Sequence, residues 1–188
     1  MRRWLLPALM ITLLLTGCGG SKPERKLEDM RKTLAAAQEV TLTAEVTALL
    51  RDEEFSCTLA CTAAPERVTV EVLAPETIAG IRATVGADGT RIEYEDVALG
   101  LGGWAPDAAP VTALPLLLTA LRTGSTLRAW TEWEEERTLF VREYYVTDDT
   151  TLCVWFDAKT SLPVHAEFSG SSGGRTLLRC EITDFTYR

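Results

Sequence analysis

The chain is poor in positive charge and in histidine. Its 188 residues carry 19 basic side chains against 27 acidic ones, a formal net charge of -8, and a single histidine, His165. An acidic chain repels phosphate backbones, so nucleic acid is not an expected partner, and adsorption to anionic lipid through a basic surface is equally disfavoured. No Gly-rich phosphate loop and no pair of CxxC motifs is present, which removes the usual signatures of nucleotide and structural zinc binding. No metal and no cofactor is therefore expected. There is no internal repeat and no linker of shifted composition, so a second domain is not indicated. With 46% hydrophobic and 24% charged residues, the chain is too apolar for disorder and long enough for a sizeable core without staples.

Trp4 to Leu15, twelve residues without a charge, follows Arg2 and Arg3. That is too short for a mature span, which needs about 20 residues, and has the length of the apolar core of a secretory signal. Leu15-Thr16-Gly17-Cys18 resembles the lipobox of bacterial lipoprotein precursors. The resemblance implies that Cys18 takes a diacylglycerol thioether and becomes the first mature residue. Two or more acyl chains give stable attachment where one does not, so the mature protein is expected to be anchored to the membrane on its extracytoplasmic face. Residues 1–17 then form the signal peptide, 18–23 the tether and 24–188 the domain. Cleavage leaves 171 residues and, with Arg2 and Arg3 gone, a net charge of -10. The four other cysteines, Cys57, Cys61, Cys153 and Cys180, suit either cross-strand disulfides or buried free thiols. Cys57 and Cys61 lie too far apart along one strand to bond to each other.

After the capping-box pattern Ser21-Lys22-Pro23-Glu24, the residues Leu27, Met30, Leu34 and Ala37 recur at helical spacing. The period then changes to two. Val40 to Ala48 and Phe55 to Cys61 alternate apolar and polar residues around the bend Arg51 to Glu54 and read as a hairpin with one buried face. Further strands are expected over 67–73, 78–85, 90–97, 126–133, 138–146, 151–157, 164–168 and 175–185, ten in all. Between them, Gly100 to Pro110 reads as an irregular loop carrying Trp104. Pro115 to Thr123, with Gly124 just past its end, reads as a short helix whose apolar side is Leu114, Leu117, Leu118 and Leu121. The fold class is mainly β with two helices. So many antiparallel strands curl, and a curled sheet has a concave side to be filled.

Two stretches resemble a known group. Trp155 to Val164, then Ala166-Glu167-Phe168, a glycine turn and Cys180-Glu181-Ile182-Thr183-Asp184-Phe185, look like the closing hairpins of the LolA/LolB-like lipoprotein-carrier superfamily; Ala74 to Gly80 with the turn Gly86 to Gly89 resembles its central region. The similarity runs over residues 24–188. It implies a strongly curved, incompletely closed antiparallel barrel with helices plugging a hydrophobic cavity. Members of the group include soluble carriers, membrane-anchored acceptors, envelope-stress regulators, and lipid-binding and germination lipoproteins. An anchored chain cannot shuttle, which favours the acceptor, scaffold or sensor types.

Two functional expectations follow. The first is a cavity for a lipid, an acyl chain or a lipoprotein, lined by Leu27, Met30 and Leu34 of one helix and Leu114, Leu117, Leu118 and Leu121 of the other; the same leucines equally suit a solid core. The second is an interaction surface for an envelope protein with no bound ligand, with Trp104 as its exposed-aromatic candidate. Catalysis is not expected, because His165 has no nucleophile motif beside it. The acids at 134–136 and 148–149 fall at hairpin bends, where charges are normally solvated. Replacing Cys18 with alanine is expected to abolish palmitate labelling and release the protein from membranes; normal labelling of Cys18→Ala would refute the anchor.

Overall fold

A computed structural model describes residues 22–50, 53–86, 89–94, 97–101, 110–134, 136–170 and 174–188. Helix α1 (Lys22–Ala36) opens the described chain. Six strands follow, β1 (Val40–Leu50), β2 (Glu53–Ala64), β3 (Arg67–Ala74), β4 (Arg82–Gly86), β5 (Gly89–Tyr94) and β6 (Val97–Leu101). Helix α2 (Pro110–Thr123) then leads to β7 (Thr126–Glu134), β8 (Arg137–Thr147), β9 (Thr150–Asp157), β10 (Pro163–Gly170) and β11 (Thr176–Tyr187). All eleven strands form one sheet in the order β6-β5-β4-β3-β2-β1-β11-β10-β9-β8-β7. Every pairing is antiparallel. The sheet is curved and does not close into a barrel.

Two meanders thus meet at the centre, where β1 lies between β2 and β11. The alternation in β1 decides which face is inside. Val40, Leu42, Ala44, Val46 and Ala48 are all buried, and the register aligns them with Cys57, Leu59, Cys61 and Ala63 of β2 and with Leu178, Cys180 and Phe185 of β11. The pattern in β11 survives a change of parity. Thr43 pairs with Asp184 but Ala44 with Ile182, so Thr183 is the extra residue of a bulge; its hydroxyl donates to the Thr43 carbonyl at 3.2 Å. The bulge lets both Cys180 and Phe185 face inward although they differ in parity. The C-terminus closes this centre, with the Gln38 and Glu39 amides donating to the Arg188 carbonyl at 2.8 and 3.1 Å.

The eleventh strand comes from the segment around 97–101, which sequence alone splits between strand and loop; β5 ends at Tyr94 and β6 begins at Val97. The stretch 78–81, expected as strand, is a turn. Ile78 donates to the Pro75 carbonyl at 3.1 Å and Gly80, at φ 89°, donates to the Val72 carbonyl at 2.9 Å, so β4 starts only at Arg82. Helix α2 begins at Pro110, five residues before the expected proline; Pro115 lies inside it and is buried. Gly124 ends α2 as expected, its amide donating to the Ala120 carbonyl at 2.8 Å. A Cβ there would stand 2.5 Å from that carbonyl oxygen.

The bend after β9 shows why the Asp157-to-Pro163 sequence turns where it does. The Asp157 carboxylate accepts the Lys159 and Thr160 amides at 2.9 and 2.8 Å, and Ser161 sits at φ 62°. The Thr160 amide above all holds the Asp157 carboxyl below its ordinary pKa. A lowered folded-state pKa contributes stability above the unfolded value, lost as pH falls through the folded one. Asp157→Ala is expected to cost ~1 kcal/mol at neutral pH, the usual worth of such side-chain turn hydrogen bonds. In urea denaturation the difference from wild type should be full above about pH 5 and fade below the ordinary carboxylate range near pH 4.

Candidate functional site

The concave face is covered by the two helices. Helix α2 lies against β1, β2, β3, β8 and β11, and α1 lies against α2. Leu27, Met30, Leu34, Leu114, Leu117, Leu118 and Leu121 all turn inward, none more than 5% exposed, and they join the strand residues in a single apolar cluster with Leu59, Phe156 and Phe168. Each such side chain removed from water contributes about 1.5–3 kcal/mol. All seven sequence-predicted lining residues are therefore brought together, beneath the helices and on the concave side of the sheet.

One arginine fastens the two helices to each other. Arg31 of α1 donates through Nε to the Leu121 carbonyl at 3.1 Å and through Nη2 to the Gly124 carbonyl at 2.9 Å. Carbonyls at a helix C-terminus lack intrahelical donors and attract cations. The same guanidinium lies 5.5 Å from the centre of the Tyr144 ring on β8. Glu28 on α1 accepts from Arg142 of β8 at 2.5 Å, and its carboxyl is held below the ordinary value; burial opposes the lowering, while Arg142 and Arg31 bring it about. A second arginine is not satisfied: Nε and Nη2 of Arg122, in the last turn of α2, are buried without a hydrogen-bond partner. The residue is half-buried, and its charge opposes the rise that burial gives the Cys61 thiol on β2.

The four described thiols, Cys57, Cys61, Cys153 and Cys180, are free. Burial pushes Cys57 up to about 11 and both Cys61 and Cys180 up to about 12. Cys153, half-buried on the outer face, rises to about 11 for the same first reason. A thiol that stays protonated at neutral pH is a poor nucleophile and a poor metal ligand. No cluster of His, Cys, Asp and Glu suited to a metal occurs among the described residues.

The outer, convex face carries a constellation that sequence reading does not assemble. Register aligns Trp130, Val141, Trp155, His165 and Glu181 across five strands. The indoles of Trp130 and Trp155 both donate to Glu132, at 2.6 and 2.8 Å, one to each carboxylate oxygen. Although Val141 is on the outer face, it is fully buried. His165 meets Glu181 at 2.8 Å and Glu167 at 3.2 Å and packs edge-on to Trp155 at 4.8 Å. A hollow of about 670 Å³ opens beside them, bounded by Glu132, Arg137, Trp155, His165 and Glu181 among others. No hydroxyl or thiol is paired with His165 among the described contacts. The lone histidine is a strand residue, as expected, but its neighbours come from β9 and β11, which the linear sequence separates. The available signal was the acid and aromatic alternation of Trp130 to Glu134. Cys18 and Trp104 lie outside the described residues.

No family model and no curated protein matches the chain. Solved structures do. A DUF1329 family protein from Desulfovibrio piger superposes with a TM-score of 0.52 at 9% identity, over 86% of this chain and 90% of that one. A candidate outer membrane lipoprotein-sorting protein domain from Vibrio parahaemolyticus gives 0.50 at 13% identity, over 89% and 94%. A LolA superfamily protein from Nitrosomonas europaea gives 0.47 at 12% identity, over 88% and 93%. The fold is LolA-like, as the closing hairpins imply. Likeness at such identity is likeness of fold, and the task must be argued from the site.

Because Arg31 is the polar link between the helices, Arg31→Met should lower stability by about 2–3 kcal/mol, the range for hydrogen bonds to a charged group with the carbonyls left unpaired. Urea denaturation followed by far-UV circular dichroism measures it; a change under about 0.5 kcal/mol, the scatter of ordinary surface substitutions, would deny the link.

Proposed function

We propose that this is a membrane-tethered lipoprotein of the cell envelope, anchored through a lipidated Cys18, that binds the acyl chain of a lipid or lipoprotein between its helices and the concave face, without catalysis. The observation that carries this reading is the half-buried Arg122, whose Nε and Nη2 are shut off from water without a hydrogen-bond partner, at the end of a helix that covers an apolar interior. Hydrocarbon entering such a space gains about 0.8 kcal/mol per methylene. A carboxylate or phosphate at the end of the chain would give Arg122 the charge-assisted hydrogen bonds it lacks. Entry requires the helices to part, and the Arg31 bonds to Leu121 and Gly124 are the polar contacts to be broken. The lipoprotein-sorting description of the Vibrio parahaemolyticus domain supports the reading by analogy of fold alone.

A second reading rests on a different observation. The seven candidate lining residues are already packed in the described structure, whereas the hollow on the outer face stands open. An envelope protein binding there needs no rearrangement of the helices, and the domain would serve as a scaffold or sensor without a ligand.

The domain from Ser21 to Arg188, produced without its anchor, separates the two. Native mass spectrometry is expected to show one lipid per protein, and Arg122→Leu to lower the occupancy by an acidic-headed lipid about tenfold, the loss of one charge-assisted contact. A lipid-free protein that instead retains an envelope partner would replace the first reading with the second.

A further inference from the structure

Among the described residues, strand β7 ends the sheet and is hydrogen-bonded on one side only. Edge strands are ordinarily kept short, covered, or interrupted by proline or lysine. The opposite edge, β6, has five residues. By contrast β7 has nine, contains neither proline nor lysine, and is exposed at every position but Glu132, which is half-buried. It also concentrates large apolar surface: Leu127, Trp130 and Trp133 are 51%, 36% and 80% exposed.

The order of residues within this edge is self-complementary. Arg128 and Glu132 stand two places on either side of Trp130, and Ala129 and Thr131 one place. A second copy of β7 laid antiparallel with Trp130 opposite Trp130 therefore puts Arg128 of each chain opposite Glu132 of the other, twice. It also sets Ala129 against Thr131, and brings Trp133 to the end of the partner strand where Leu127 is exposed. Cross-strand opposite charges and aromatic pairs are the favourable ones, and like charges directly opposite are not. A two-fold axis requires such self-complementarity. The regular stretch that this pairing needs runs from Arg128 to Glu132; the irregularity in β7 lies before it, between Thr126 and Arg128.

We propose that β7 is a homodimer edge, pairing with the β7 of a second copy about Trp130 so that one sheet runs through both chains. The internal contacts of these residues leave room for it. Arg128 gives its Nε to Glu143 at 2.5 Å while 72% of its side chain is exposed, which leaves the outer guanidinium nitrogens for a partner. Each Glu132 oxygen accepts one indole N–H and keeps a lone pair for an arginine. This interface is independent of the interior and of the anchor, so it stands whether or not a lipid is bound.

The test is sedimentation equilibrium of the full-length chain in a mild detergent over a range of protein concentrations. The wild type is expected to form a dimer. Arg128→Glu, which sets Glu against Glu, should weaken it at least ~10-fold, and the charge-swapped pair Arg128→Glu with Glu132→Arg should recover most of the loss. Trp133→Ala, at a position too exposed to disturb the fold, should also weaken the dimer. Near-UV circular dichroism checks each variant. If the charge-swapped chain does not fold, oxidation of Trp130→Cys decides instead, because only the proposed register brings that position against itself. A wild type that stays monomeric, a dimer indifferent to Arg128→Glu and Trp133→Ala, or the absence of a Trp130→Cys crosslink would each overturn the proposal.

Discussion

An eleven-stranded sheet with one apolar face cannot stand in water with that face bare, and the rest of this structure answers that constraint. The inward residues of β1, β2, β9, β10 and β11 present a continuous aliphatic and aromatic surface. Curvature gathers it toward one place, and α2 and α1 cover it. Because the sheet does not close on itself, these helices bear the covering role that a closed barrel would share among its own strands. Their hold on one another is partly polar, through Arg31 and the α2 carbonyls, and directional bonds of that kind fix where the helices sit in a way that leucine packing alone does not.

The two faces of the sheet separate two kinds of chemistry. Inside, desolvation keeps the thiols of Cys57, Cys61 and Cys180 protonated and leaves them as small apolar side chains. At the border of that interior, Arg122 has two nitrogens, Nε and Nη2, that have lost water without gaining a partner, as has the hydroxyl of the buried Tyr144. Outside, the polar residues form a pattern. Carboxylates at 132, 167 and 181 are interleaved with two tryptophans and the single histidine, and the row runs out to the free edge of β7. Binding within the fold and association at its rim therefore draw on separate residues.

Much of the architecture was legible in advance because periodicity is a local property. The two-residue alternation of Val40 to Ala48 and of Phe55 to Cys61, the helical spacing of Leu27, Met30 and Leu34, and Gly124 after α2 each encode their own geometry. Where reading failed, the deciding contact was distant or the pattern too short. The turn at 78–81 is set by hydrogen bonds back to Val72 and Pro75. Strand β6 has five residues, four of them beyond the strand expected over 90–97. Helix α2 runs through Pro115 because burial against the sheet outweighs the lost amide bond.

By itself the sequence determined the strands, the helices and their apolar faces, since these depend on neighbours along the chain. The tertiary structure decided what those faces meet. It set β1 beside β11, joined Arg31 to the end of α2, stranded two of the Arg122 nitrogens, brought His165 to Glu181 and Trp155, and left β7 with an open side among the described residues. Each of these depends on register and curvature, which arise from pairings between residues up to 147 positions apart, as in Val40 with Tyr187, and no local pattern encodes them.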